Sequence, residues 1–140
     1  MKIELKRLII TRLLLSVTAF FFISIASMAQ HNAPWNAPES AKEKKNPYLP
    51  DESSLERGKN SYSIECARCH GKHGKGDGTS AARIDKTVAD LSVDKVQNQS
   101  DGELYWKISE GRKPMPLSKN TLTDDQRWDI INYIRTFKNK

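Results

Sequence analysis

Apolar positions recur at helical spacing along most of the chain, and no stretch alternates in strand fashion over more than a few residues. Leu55, Gly58, Tyr62 and Cys66 share one face, which predicts a first helix running to about Cys66. Ser53, with Glu56 three residues on, carries the capping-box signature for its start. A short helix is expected around Ser80–Ile84, then a loop through Ala89-Asp90-Leu91. Ser100 or Asp101 caps a further helix that turns Leu104, Tyr105 and Ile108 inward and ends at Gly111. Pro114 and Pro116 forbid helix in the segment that follows. Thr123 and Gln126 form a second capping box, after which Ile130, Ile131, Ile134 and Phe137 recur at i, i+1, i+4 and i+7. The fold class this predicts is all-α.

Two segments before Ser53 read differently. Residues 1–29 join a basic start (Lys2, Lys6, Arg7, Arg12) to an apolar run from Leu13 to Ala26, and Ser27-Met28-Ala29 offers the small residues a signal peptidase prefers. This predicts a cleaved signal peptide, with an uncleaved anchor as the alternative, and places the rest of the chain in the periplasm. Residues 30–52 hold four of the six prolines and read as an extended arm, with Trp35 and Tyr48 as candidates for docking it. The functional domain is then 53–140.

Of the 140 residues, 23 are Lys or Arg and 17 are Asp or Glu, a formal charge of +6. The leader holds half of that excess, so a nucleic-acid-binding reading fades. Two cysteines exclude a disulfide-dense scaffold. Once the leader is set aside, the remainder is poor in apolar side chains, and a domain this small buries only a modest fraction of its surface. Something besides side chains is expected to fill its centre.

Cys66-Ala67-Arg68-Cys69-His70 is C-x-x-C-H. Two cysteines at this spacing each add across one vinyl group of a haem, and the adjacent histidine meets the iron from the same side. A thioredoxin-type pair would need a preceding buried strand, where this chain has an amphipathic helix. A zinc knuckle would have to close within eight residues on Cys66, Cys69, His70 and His73, whereas zinc sites normally add a distant ligand pair. A disulfide here closes too small a loop to restrain the chain much. Covalent haem attachment is the reading that remains. For the second axial position Met115 is the favoured candidate, because Pro114 and Pro116 make its loop rigid enough to keep a weak thioether on iron. His73, His31 and a lysine compete. His73 lies three residues past His70, on the wrong side of the ring, and His31 reaches only if the arm folds across the distal face.

From Ser53 to Phe137 the chain resembles a class I, mono-haem bacterial cytochrome c. The resemblance rests on Gly58 and Tyr62 in the first helix, the C-x-x-C-H, the loop Gly74-Lys75-Gly76-Asp77-Gly78, the methionine loop, and Trp128 and Tyr133 in the last helix. It implies that the first and last helices cross at Gly58, with Tyr62 against Tyr133 or Trp128. It implies one covalent haem c with its iron held by His70 and Met115. It also implies a backbone carbonyl accepting from His70 Nδ1, here at Thr79, where the family often has proline. Val88 likewise stands where many members have proline before Ala-Asp-Leu.

Histidine–methionine ligation fills both axial positions and favours ferrous iron, which suits electron transfer rather than bond-making. The expected role is a periplasmic one-electron carrier, not an enzyme, exchanging electrons with redox partner proteins such as a dehydrogenase or respiratory complex. Membrane association follows only from an uncleaved leader. Lys72, Lys75, Arg112, Lys113 and Lys119 cluster in sequence around the haem-holding loops and would steer docking to acidic partners if they ring the exposed haem edge. The alternative is a haem-based gas-binding or sensor domain with a displaceable distal ligand. A third reading is an electron-wire subunit fixed in a membrane complex. A single C-x-x-C-H argues against a two-haem peroxidase.

Overall fold

The structure, a computed structural model, describes Arg12 and residues 34–84 and 87–138. The expected signal peptide, save Arg12, and His31 lie outside the described residues. Every element below belongs to the compact unit that begins at Asn36. In chain order these are α1 (Glu39–Lys42), α2 (Glu52–Glu65), α3 (Ala67–His70), a 3-10 turn (Ala81–Arg83), α4 (Asp94–Gln97), α5 (Asp101–Glu110) and α6 (Asp124–Arg135). Among the described residues β pairing amounts to an isolated bridge between Arg112 and Met115. The fold is all-α.

The capping box at Thr123 forms as the sequence predicts, and of Ser100 and Asp101 the structure selects Ser100 as the cap of α5, in a capping box with Glu103. Ser100 accepts from Glu103 N while the Glu103 carboxylate takes Ser100 N, and Thr123 and Gln126 do the same for α6. The start of α2 differs. Its cap is Asp51, whose carboxylate accepts from Ser54 N at 2.7 Å, so Ser53 and Glu56 are not its capping box. Asp51 comes after Pro50 in extended backbone, and a carboxylate at a helix N-terminus also meets the positive end of the dipole. Ser53 falls in the first turn, where its hydroxyl accepts from Arg57.

The most extensive helix–helix contact among the described residues is α2 against α6. Gly58 permits it: a Cβ there would sit 2.0 Å from the Asp129 carbonyl oxygen and 3.0 Å from Tyr133 Cβ. Around this approach lies a buried polar network. The Asp129 carboxylate, 2% exposed, takes Arg57 Nε at 2.7 Å, Arg57 Nη2 at 3.1 Å and Ser54 Oγ at 2.6 Å. Asn132 donates to Ser54 Oγ at 2.8 Å and to the Tyr48 carbonyl at 3.2 Å. A buried carboxylate is tolerable only when paired and hydrogen-bonded, and Asp129 is both.

One turn further, Tyr62 packs on Tyr133 (centroids 5.4 Å apart) and on Phe137 (5.3 Å, edge-on). Trp128 instead stacks on Tyr105 of α5 at 4.1 Å. Of the two partners considered for Tyr62, the structure therefore selects Tyr133. The core also takes Leu104, Ile108, Leu122, Ile130, Ile131 and Ile134.

The described part of residues 30–52 departs from the expected extended arm. It forms the one-turn helix α1, which packs on α5. Asn46 donates to Asn132 Oδ1 at 2.9 Å and to the Trp128 carbonyl at 3.3 Å, and Lys44 Nζ lies 3.9 Å over the Tyr105 ring. Prolines keep the segment from lengthening its helix, but side-chain anchors bind it to the domain, which therefore starts before Ser53.

Gly58→Ala is expected to lower the unfolding free energy of the haem-loaded protein by about 3 kcal/mol or more, because the added methyl meets backbone rather than a movable side chain. Denaturant titration measures it; a loss below about 1 kcal/mol would show that the crossing gives way easily.

Candidate functional site

Helix α2 ends at Glu65, and Cys66 is the joint at which the chain turns into α3. The Cys66 carbonyl accepts from Cys69 N at 3.1 Å and His70 N at 2.9 Å, which winds the two thiols and the imidazole into one turn. Both cysteines are free and half-buried. Burial, with the neighbouring Glu65 carboxylate adding to it, pushes the Cys66 thiol up to about 12. A reactive redox or nucleophilic cysteine needs the opposite shift, so the thioredoxin-type reading loses its chemistry here.

The turn ends at Gly71, whose φ of +79° only glycine adopts freely. Tyr62 Oη donates to the Gly71 carbonyl at 2.8 Å and so joins the site to the helix crossing. The glycine-rich loop then folds back along α3: Gly76 N donates to His70 O, Gly78 N to Cys69 O and Ser80 N to Arg68 O.

His70 Nδ1 lies 3.1 Å from the carbonyl oxygen of Ala89. A carbonyl only accepts, so Nδ1 carries the proton and Nε2 is left as the metal-binding nitrogen. Burial holds the imidazole below its ordinary value of 6.5, with the Ala89 bond opposing, and the ring is neutral as ligation requires. The expected acceptor at Thr79 is thus corrected to Ala89. Gly78 and Ser80 are tied along the backbone of Arg68 and Cys69, whereas Leu91 N donates to Gly74 O at 2.6 Å and draws the 89–91 loop to the ring. Asp90-Leu91-Ser92 was the available signal: the Asp90 carboxylate accepts from Ser92 N at 2.8 Å in an Asx turn.

Met115 lies in the loop between α5 and α6, where its N–H donates to Arg112 O at 3.0 Å. Ser118 closes that loop onto the end of α5, its hydroxyl donating to Ile108 O at 2.7 Å. Met115 is half-buried and packs against the same core cluster as Cys66, Ala67 and Leu91. His73 is exposed beyond the Gly71 turn.

The five cations are not equivalent. Lys119 pairs with Glu110 at 2.7 Å, and Lys75 Nζ donates to Ser92 Oγ at 2.6 Å. All five are exposed.

These residues fit a covalent haem: two adjacent free thiols, a neutral imidazole in the tautomer that presents Nε2, and a thioether on the same core. The sequence model of the family described as Cytochrome c matches residues 55–138, from α2 through α6. No curated protein matches the chain. Among solved structures, a chain of the Kuenenia stuttgartiensis reducing HAO-like protein complex is similar, at 30% identity and a TM-score of 0.61. That likeness covers 66% of this chain and 47% of the other, so this chain matches about half of that chain's length.

Cys69→Ser is expected to leave haem bound by one thioether, moving the pyridine haemochrome band to longer wavelength because one vinyl group stays conjugated. Cys66→Ala/Cys69→Ala is expected to carry no covalent haem and to lose most of its helical circular dichroism, since cofactor binding energy is folding energy here. Native-like ellipticity from that double variant would contradict the second expectation.

Proposed function

The chain belongs to the cytochrome c family and carries covalently bound haem c, and from that premise we propose that it is an exported one-electron carrier whose iron is held between His70 and Met115. The observation that carries this reading is the packing of Met115 on the same buried cluster as the attachment turn, in a loop held by Arg112 O and by Ser118. When bound, haem supplies a ferric–ferrous couple. His70 and Met115 would hold the iron between them and leave neither gas nor substrate an open site. An imidazole and a thioether on fixed backbone would also need little rearrangement when one electron moves, which would keep the cost of reorganisation low.

Carrying electrons rather than catalysing bond changes follows from that closed coordination. The partners are redox proteins, a reading supported by the likeness to a chain of a multi-subunit complex. Lys72, Lys75, Arg112, Lys113 and Lys119 are all exposed, with Lys119 in a surface pair with Glu110, and they would steer docking to acidic partners, so reduction by the partner is expected to slow as salt rises. The basic leader supports export to the periplasm.

Carbon monoxide added to the reduced protein distinguishes a closed site from an open one. The native protein is expected not to bind at low concentration. Met115→Ala is expected to bind readily and to show a lower reduction potential, because the thioether favours ferrous iron. Fast binding by the native protein would replace the carrier reading with a gas-binding one.

A further inference from the structure

The carbonyl that receives His70 Nδ1–H belongs to the irregular loop 87–91. Val88 and Ala89 give that backbone no intrinsic rigidity. Gln97, on α4, supplies a tether. Its side-chain amide donates to Leu91 O at 2.6 Å and to Ile134 O at 3.1 Å, so one nitrogen joins the loop to the last turn of α6. Gln97 is 7% exposed, and its Oε1 has no hydrogen-bond partner among the described residues. A buried amide that leaves its acceptor unmet is retained for its two donors. Its backbone is held as well: Gln97 N donates to Val93 O at 3.0 Å, and Gln97 O accepts from Arg135 Nη1 at 2.8 Å.

We propose that Gln97 is a positioning residue for the axial histidine, holding the Ala89 carbonyl against His70 Nδ1 through Leu91 and α6. The proposal rests on His70 as an iron ligand, as read above. An acceptor on the distal ring nitrogen orients a ligating imidazole and raises its basicity. Greater basicity favours ferric iron, and hydrogen bonding around the ligands is one of the protein's controls on potential. Gln97 therefore keeps the potential lower than a slack loop would.

The test uses full-length, haem-loaded protein and Gln97→Met, which keeps the side chain's length and removes both donors. Asn46→Ala serves as a control, since it removes three part-buried hydrogen bonds on the arm, none of them to the 87–91 loop. Gln97→Met is expected to speed solvent exchange of the His70 Nδ1 proton about tenfold and to shift the midpoint potential upward. Asn46→Ala should lower stability and move neither. Wild-type exchange and potential in a folded Gln97→Met protein would overturn the proposal and leave Gln97 a fastening of α4 alone. If Gln97→Met does not load haem, Gln97→Asn, too short to reach both carbonyls, must show the same two shifts in smaller measure; wild-type values there overturn it equally. Loss of Met115 as a ligand would sink the carrier reading without touching this comparison, whereas absence of covalent haem on the native chain would sink both.

Discussion

Everything in the domain is referred to the place where the backbone of α2 meets the backbone of α6 at Gly58. With a Cβ position only 2.0 Å from the Asp129 carbonyl, the helices are as close as two backbones allow. That closeness puts Asp129 out of water, and Arg57 and Ser54 answer its charge from the opposite helix. It also sets the depth at which Tyr62 enters the Tyr133–Phe137 pair. From Tyr62 a single hydrogen bond reaches Gly71, directly after the last residue of the attachment turn. The crossing is thus the frame on which the haem-attachment turn is mounted.

The site itself is made of loops, and loops need fastening. The attachment turn is covered by the glycine-rich strap, which returns three backbone N–H groups to its carbonyls. The carbonyl that accepts from His70 Nδ1 comes from a separate loop drawn in by Leu91 N, the Asp90 turn and the Gln97 amide. Met115 approaches from a third loop, between α5 and α6, and meets the same core. Residues of all three loops, Cys66, Leu91 and Met115 among them, pack on one apolar cluster, where a large flat cofactor would extend the core they share.

Features whose chemistry is local were legible in the sequence. The cap at Ser100 and the capping box at Thr123 depend on residues within one turn, and C-x-x-C-H is one turn of chain. The start of α2 misled because two adjacent signals compete, and a carboxylate at Asp51 outranks a hydroxyl at Ser53. Features made by distant residues were hidden. The Ala89 carbonyl is 19 positions from His70, and Asn46 is 86 from Asn132, so neither the histidine's partner nor the docking of the arm had a spacing to betray it. Of the cations, counting charges along the chain could not reveal that Lys119 pairs with Glu110, nine positions away.

The spectrum of the oxidised, haem-loaded protein bears most directly on His70–Met115 ligation. A weak far-red sulfur-to-iron charge-transfer band is expected in the native protein, and it should vanish in Met115→Ala while covalent haem remains. Covalent haem without that band in the native protein, or a band that survives the substitution, would contradict the ligation on which the carrier function is built.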